Sequence, residues 1–305
     1  MKSRHTQSRG CPMSKPFHVF FFVLMPKILL SRIAGWFCRR SVSRHLINWF
    51  IKKYNVALNE VEVPHDRFPT LNRFYTRRLL AGVHAISPEP DAVVSPVDAI
   101  IEDAGPVNGT RVMQVKENDY LLSDLLPASF HHTFIDGYFI TLKIPTGEYH
   151  RVHAPVDGKI THTLYVPGTL FPLVEYMKKG IKNIYAKNER IAALIDTGKG
   201  KMTMCMVGAM CAGEISLSYS SIQSNAIKRK KLEKNHMVTA PKVQRGNEIA
   251  VFNLGSTVIM IFQADMFKPE HGMIGTRVRV GQKLGTLVEK RKYEFLEEYA
   301  SESEA

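Results

Sequence analysis

At 305 residues, 45% of them hydrophobic and 23% charged, the chain can bury a substantial core and lacks the composition of a disordered protein. Its four cysteines form no CxxC pair and no metal-ligand spacing, which argues against a zinc scaffold and reads as buried reduced thiols in a cytosolic setting. The net charge of +13 is local, because residues 1–59 hold eleven Lys or Arg and no acid while the remainder is close to neutral.

Residues 1–15 read as disordered, and residues 16–80 as a helical, membrane-associating region. The apolar run PFHVFFFVLMP (16–26) is too short to span a bilayer and is closed by Pro26. An export signal competes for this run, since basic residues precede it, but no small-x-small cleavage site follows directly. Leu29, Ile33, Trp36 and Phe37 then recur at helical spacing among Arg32, Arg39 and Arg40. Ser43 is placed to cap a second stripe of Leu46, Ile47, Phe50, Ile51 and Tyr54, and TLNRFYTRRLL (70–80) predicts a last helix. Basic amphipathic helices with Trp and Phe suit the headgroup layer of an anionic membrane. A nucleic-acid surface does not need this much apolar area, so nucleic acid is not expected as a partner. Plain packing of the helices on the next domain stays open as an alternative.

From 91 to 288 the texture is that of many short strands, with AVVSPVDAII, GYFITLKIP and EIAVFNLGSTVIMIF as examples. A helical interlude is expected at 172–190, a solvated loop at Lys228–Lys231, and an acidic tail at 289–305. Two segments echo each other, SPVDAII (95–101) and APVDGKI (154–160), and imply an internally duplicated core. RVGQKLGTL (279–287) looks like the closing hairpin of a lipoyl-type sandwich, without the lysine that would make it a carrier. The predicted fold class is α+β: N-terminal amphipathic helices, then a mostly antiparallel, duplicated β-sandwich or barrel of lipoyl-like hairpins.

Three places can carry chemistry. His150 and His153 flank Arg151 in IPTGEYHRVHAP (144–155); their odd spacing sends them to opposite faces of an ideal strand, so a shared site needs a turn or bulge. No third ligand or HExxH pattern supports a metal site there. Asp98 follows Pro96 at a turn into a strand, where an Asx-turn role is the simpler reading. Gly255-Ser256 interrupts an apolar strand, which ordinarily marks a bulge. Such a serine can also attack the carbonyl before it, shifting the acyl group from nitrogen to oxygen. Elimination of that ester leaves dehydroalanine, which hydrolyses to a pyruvoyl group, and glycine permits the strained geometry.

Leu254-Gly255-Ser256-Thr257 followed by an apolar run resembles the processing site of phosphatidylserine decarboxylases. FPTLNRFYTRRL (68–79), SPVDAII, EYHRVHAPVDG (148–158), LYVPGTLFPL (164–173) and FNLGSTV (252–258) resemble family blocks in family order, over about residues 25–288. The resemblance implies self-cleavage between Gly255 and Ser256, a pyruvoyl group derived from Ser256 in place of pyridoxal phosphate, and no metal. It implies a heterodimer of the chain's own fragments, 1–255 and 256–305, with a homodimer of these as a further assembly. It casts His153 as the base on Ser256, Asp98 as the residue fixing its tautomer, and His150 as serving decarboxylation. Arg151 is a candidate phosphate contact on chemical grounds alone. Ala99 stands where the family commonly has glycine, a departure that falls on the turn at Asp98. The implied substrate is phosphatidylserine, converted to phosphatidylethanolamine and CO2 by a peripheral protein on the cytoplasmic side of the cell membrane. Two rivals stay open: a non-catalytic membrane-docked β module, and a pyruvoyl decarboxylase of a soluble amino acid.

Overall fold

The structure, a computed structural model, describes residues 20, 22–112, 120–210, 214–225, 240–253 and 256–289. The expected disordered start (1–15), Cys11, Cys211, Lys228–Lys231, Gly255 and the tail from 290 lie outside them.

Helix α1 (Lys27–Cys38), a 3-10 turn (Ser41–Leu46), α2 (Ile47–Tyr54) and α3 (Leu71–Tyr75) precede the strands. Ser43 does not cap α2, because it sits inside the 3-10 turn, fully buried. Its hydroxyl lies 2.9 Å from Cys38 O and 2.6 Å from Arg40 O, and accepts from Leu71 N–H at 2.9 Å, pinning three segments together. The last helix is also shorter than expected. Thr70 caps it through Arg73 N, and after Tyr75 the chain runs extended, so that Leu79 bridges Val61. Pairing with residues 60–62 supplies the backbone partners that a longer helix would have supplied itself.

The strands are β1 (Ala92–Val94), β2 (Ala99–Asn108), β3 (Arg111–Val112), β4 (Tyr120–Leu121), β5 (Tyr138–Lys143), β6 (Arg151–His153), β7 (Gly158–Val166) and β8 (Arg190–Asp196). They continue as β9 (Lys201–Gly208), β10 (Ile215–Leu217), β11 (Lys242–Val243), β12 (Glu248–Phe252), β13 (Ser256–Phe262), β14 (Phe267–Pro269), β15 (Arg277–Val278) and β16 (Lys283–Leu287). A ten-stranded antiparallel sheet runs β11-β7-β8-β9-β13-β5-β2-β3-β4, with β15 also on β2, and two three-stranded sheets run β1-β16-β14 and β10-β12-β6. The fold is α+β, as the sequence predicts.

Both faces of the large sheet are covered. Val258 and Met260 of β13 face a core shared with Val93, Val152, Phe252 and Leu284 of the small sheets. Ile259 and Ile261 face a second core with Leu122, Leu125, Met177 and Tyr185. That explains the unbroken apolar runs of β8, β9 and β13: a strand covered on both sides has no polar alternation to show. The interlude at 172–190 is two short helices, α4 (Glu175–Gly180) and α5 (Ile184–Lys187), on this second core.

The echo between 95–101 and 154–160 is a structural repeat. Asp98 Oδ1 accepts from Val280 N–H at 2.8 Å, and Asp157 Oδ1 accepts from Arg245 N–H at the same distance. Ser95 exchanges backbone bonds with Gly281 and Gln282 as Ala154 does with Gly246 and Asn247. Gly281 and Gly246 both stand at φ +87, where a side chain is strained. In strand terms β1, β2, β5, β13, β14, β15 and β16 form one copy, and β6 to β12 the other. The second copy is inserted between β5 and β13 of the first.

Candidate active site

Both ends of that insertion meet one end of the large sheet, where Lys143 pairs with Thr257: residues 144–150 leave from it, and Asn253 follows the last strand of the insertion. His150 and the Gly255-Ser256 junction therefore belong to the two connections that join the copies. α3 and the residues after it tie these connections down. Asn72 Nδ2 donates to Asn253 O at 2.9 Å, Arg77 Nη2 to Gly147 O at 2.7 Å, and Tyr75 O–H to His150 Nε2 at 2.6 Å. The block FPTLNRFYTRRL thus holds both connections at once.

His150 is fully buried against Tyr75, with ring centroids 4.0 Å apart. Its Nδ1–H donates to Glu148 O at 2.7 Å, which leaves Nε2 to accept from Tyr75. Burial pulls its pKa down to about 3, so the ring is neutral at physiological pH. His150 O in turn accepts from Phe252 N, fastening β12 just ahead of the junction.

His153 lies in a different group. Its Nδ1–H donates to Gly246 O at 2.7 Å, and its Nε2 accepts from Tyr149 O–H at 3.0 Å. Burial lowers its pKa as well. Tyr149 stacks on His153 and also packs against His84, at centroid distances of 5.6 and 5.0 Å. His84 Nε2 donates to the buried Asp98 carboxylate at 3.0 Å. Asp98 and His153 thus share one cluster but not one hydrogen bond: the carboxylate is held by His84 and Val280 N, and the His153 tautomer is set by a backbone carbonyl. Asp98, which the resemblance casts as fixing the His153 tautomer, makes no direct hydrogen bond to it among the described residues. Asp98 acts on His153 through its charge alone.

Arg151 spends its fork on structure, pairing with both oxygens of Glu248 at 2.8 and 2.9 Å and with Thr76 O. Little of the guanidinium remains for a phosphate. Ser256 opens β13 opposite Gly208 of β9. Gly255 lies outside the described residues. Among the described residues no group of three or more His, Cys, Asp or Glu is gathered to hold a metal ion. Sequence reasoning missed His84, Tyr149 and Tyr75. Tyr149 and Tyr75 stand inside blocks already singled out, whereas nothing local marks His84.

A family model described as phosphatidylserine decarboxylase matches residues 71–286, and a second described as PSD matches residues 17–55. Three relatives are each named phosphatidylserine decarboxylase proenzyme. The one from Alcanivorax borkumensis is 34% identical over 88% of this chain and 96% of its own. Those from Sodalis glossinidius and Pseudomonas fluorescens are 35% and 32% identical, covering 86% and 90% of this chain and 92% and 98% of theirs. With matched residues that include α3, both connections and every residue of the two histidine groups, the chain belongs to the phosphatidylserine decarboxylase family.

Proposed function

We infer that the chain is the proenzyme of a decarboxylase that converts phosphatidylserine to phosphatidylethanolamine and CO2, and that it cuts itself between Gly255 and Ser256. The observation carrying this reading, beside the family match, is the placement of Ser256. It is the first residue of a central strand paired along its length with β9 on one side and β5 on the other. A cut ahead of it leaves the new N-terminus fixed in the sheet, which fits a pyruvoyl group at that position. Such a group supplies an electron-withdrawing carbonyl for the pair of electrons left when CO2 departs. Activation of Ser256 is assigned to His153, whose proton sits on Nδ1; its basic Nε2 accepts from Tyr149 O–H and must exchange that partner for the Ser256 hydroxyl to act as the base. His150 serves the proton transfers of decarboxylation, its ring held by Tyr75.

Intact mass spectrometry of wild type beside Ser256→Ala tests this. Wild type is expected as fragments 1–255 and 256–305, the shorter one carrying a carbonyl that hydroxylamine labels, and Ser256→Ala as one uncut chain. An uncut wild type, or a short fragment beginning with a serine amine, defeats the reading.

The same reading places the protein peripherally on the cytoplasmic side of the cell membrane. Phe20, Val23, Leu24, Leu29, Ile33, Trp36, Val42 and Trp49 are exposed along the N-terminal helices, an apolar area that packing on the strands leaves uncovered. Arg40 lies 4.8 Å over the Trp36 ring and Lys53 4.5 Å over Trp49, so cations line the aromatic face. This pattern supports docking on an anionic leaflet. Among the described residues no helix is long and apolar enough to cross a membrane. By contrast Ile47 and Phe50 of α2 face inward with Phe74, and Ile51 and Tyr54 pack beside them, so the second stripe apart from the exposed Leu46 is packing surface.

A further inference from the structure

Glu189 has no part in the chemistry so far. It is fully buried, and its Oε1 accepts from Tyr165 O–H and from Asn225 N–H at 2.7 Å. Its other oxygen, Oε2, is buried with no hydrogen-bond partner among the described residues. A buried acceptor left without a donor is costly and calls for an explanation.

Its position supplies one. Glu189 O accepts from Gly208 N at 2.8 Å, and Gly208 is the register partner of Ser256. Glu189, Gly208 and residue 256 therefore form one row across the sheet, with about 10 Å between the outer two backbones. Cross-strand partners share a face, and the next row on that face is Ile191, Met206 and Val258, all in the large core. Gly208 contributes no side chain between its neighbours. The backbone that carries the carboxylate is held closely: a Cβ at Gly168 would stand 2.5 Å from Glu189 N, and Asn188 is tied to Phe171 and Gly208.

We propose that Glu189 receives the ammonium of the lipid's serine head group, its free Oε2 accepting an N–H while the amine sits over Gly208, facing residue 256. This rests on the reading that residue 256 is the reacting centre. It adds a specificity element: amine substrates that bind as cations depend on Glu189, and uncharged ones do not.

The test compares mature wild type with Glu189→Gln, scored by mass on the 256–305 fragment. Hydroxylamine, uncharged at neutral pH, should label both at equal rates. Capture of glycerophosphoserine in the presence of cyanoborohydride should be at least about tenfold slower in Glu189→Gln. Equal capture by the two proteins overturns the proposal. Loss of hydroxylamine labelling in wild type instead defeats the underlying reading, so the two failures are distinct. If Glu189→Gln stays uncut, Glu189→Asp replaces it, keeping the charge one methylene further back. Capture about threefold slower is then expected, and unchanged capture again overturns the proposal.

Discussion

The two copies of the β repeat differ most where their fourth strand begins. In the inserted copy, β8 turns into β9 through Thr197–Gly200. Gly198 stands at φ +81, Thr197 N–H and Oγ1–H both reach Gly200 O, and Gly198 N–H reaches Asp196. In the outer copy, the matching strands β5 and β13 pair just as closely, yet residues 144–255 lie between them. The tight turn satisfies its own backbone and has nothing left for chemistry. The open copy must instead anchor two separate connections, and it recruits Asn72, Tyr75 and Arg77 to do so. The candidate site sits where the internal symmetry is broken.

The aspartates offer the sharpest test of that contrast. Asp98 and Asp157 make the same backbone bond, but Asp98 is buried and paired with His84 while Asp157 is exposed. Asparagine preserves the oxygen that accepts from the backbone and removes only the charge. Asp98→Asn should slow self-cleavage by more than about 100-fold, the scale on which positioned acid-base groups act, while Asp157→Asn should cut as wild type does. A time course of intact mass after synthesis reads both. Equal rates in the two variants would reduce Asp98 to a turn residue.

Glycines separate the connections next. A Cβ at Gly147 would lie 2.8 Å from Tyr54 O and 2.9 Å from Tyr54 Cβ, so Gly147→Ala forces the 144–150 connection off the helices. Overpacking of this kind costs about 2–3 kcal/mol and should also slow cleavage, since Arg77 and His150 hold neighbouring atoms. At Gly198 nothing lies within 4 Å, and only the positive φ opposes a side chain. Gly198→Ala should cost about 1 kcal/mol and leave cleavage untouched. Urea midpoints of both variants, made in the uncut Ser256→Ala protein, give the stabilities. Comparable losses would mean that the two connections are equally constrained.

How much of this was legible in the sequence follows from the range of the interactions. The strands, the duplicated Pro-Val-Asp turns and the apolar stripe of α1 all depend on residues close together in the chain. The insertion of one copy into the other did not show, because β13 finds β5 across more than a hundred residues that carry no register signal. For the same reason Ser43 passed as a helix cap: its three partners include Leu71, which no local pattern places beside it. His84 was invisible because a lone histidine acquires meaning only from the carboxylate folded against it. The pairing of Asp98 with His153, taken over from resemblance, placed the two residues in one group and missed the pair that stands between them.

A further contrast concerns charge in the open connection, since the 197–200 turn contains no histidine. His150 stays neutral in the folded protein down to about pH 3 because burial disfavours its cation. The unfolded chain takes up that proton near the ordinary value of about 6.5. Below that pH the unfolded state binds more protons, so stability falls as pH drops through 6.5, and the loss levels off only near the folded value. Between pH 7 and pH 5 His150 alone should remove about 2 kcal/mol, at roughly 1.4 kcal/mol per pH unit once the slope is full. His153, also depressed by burial, adds to the same trend, so the informative quantity is a difference between proteins. In uncut Ser256→Ala protein, urea unfolding at pH 7 and pH 5 should show a smaller pH-dependent loss after His150→Gln by that amount. The glutamine variant starts from lower stability, because Tyr75 O–H and Glu148 O lose a shaped partner, and that offset cancels in the comparison of pH values. An unchanged pH dependence would mean that His150 is already charged or solvated in the fold, and the sealed, neutral ring at the open connection would have to be abandoned.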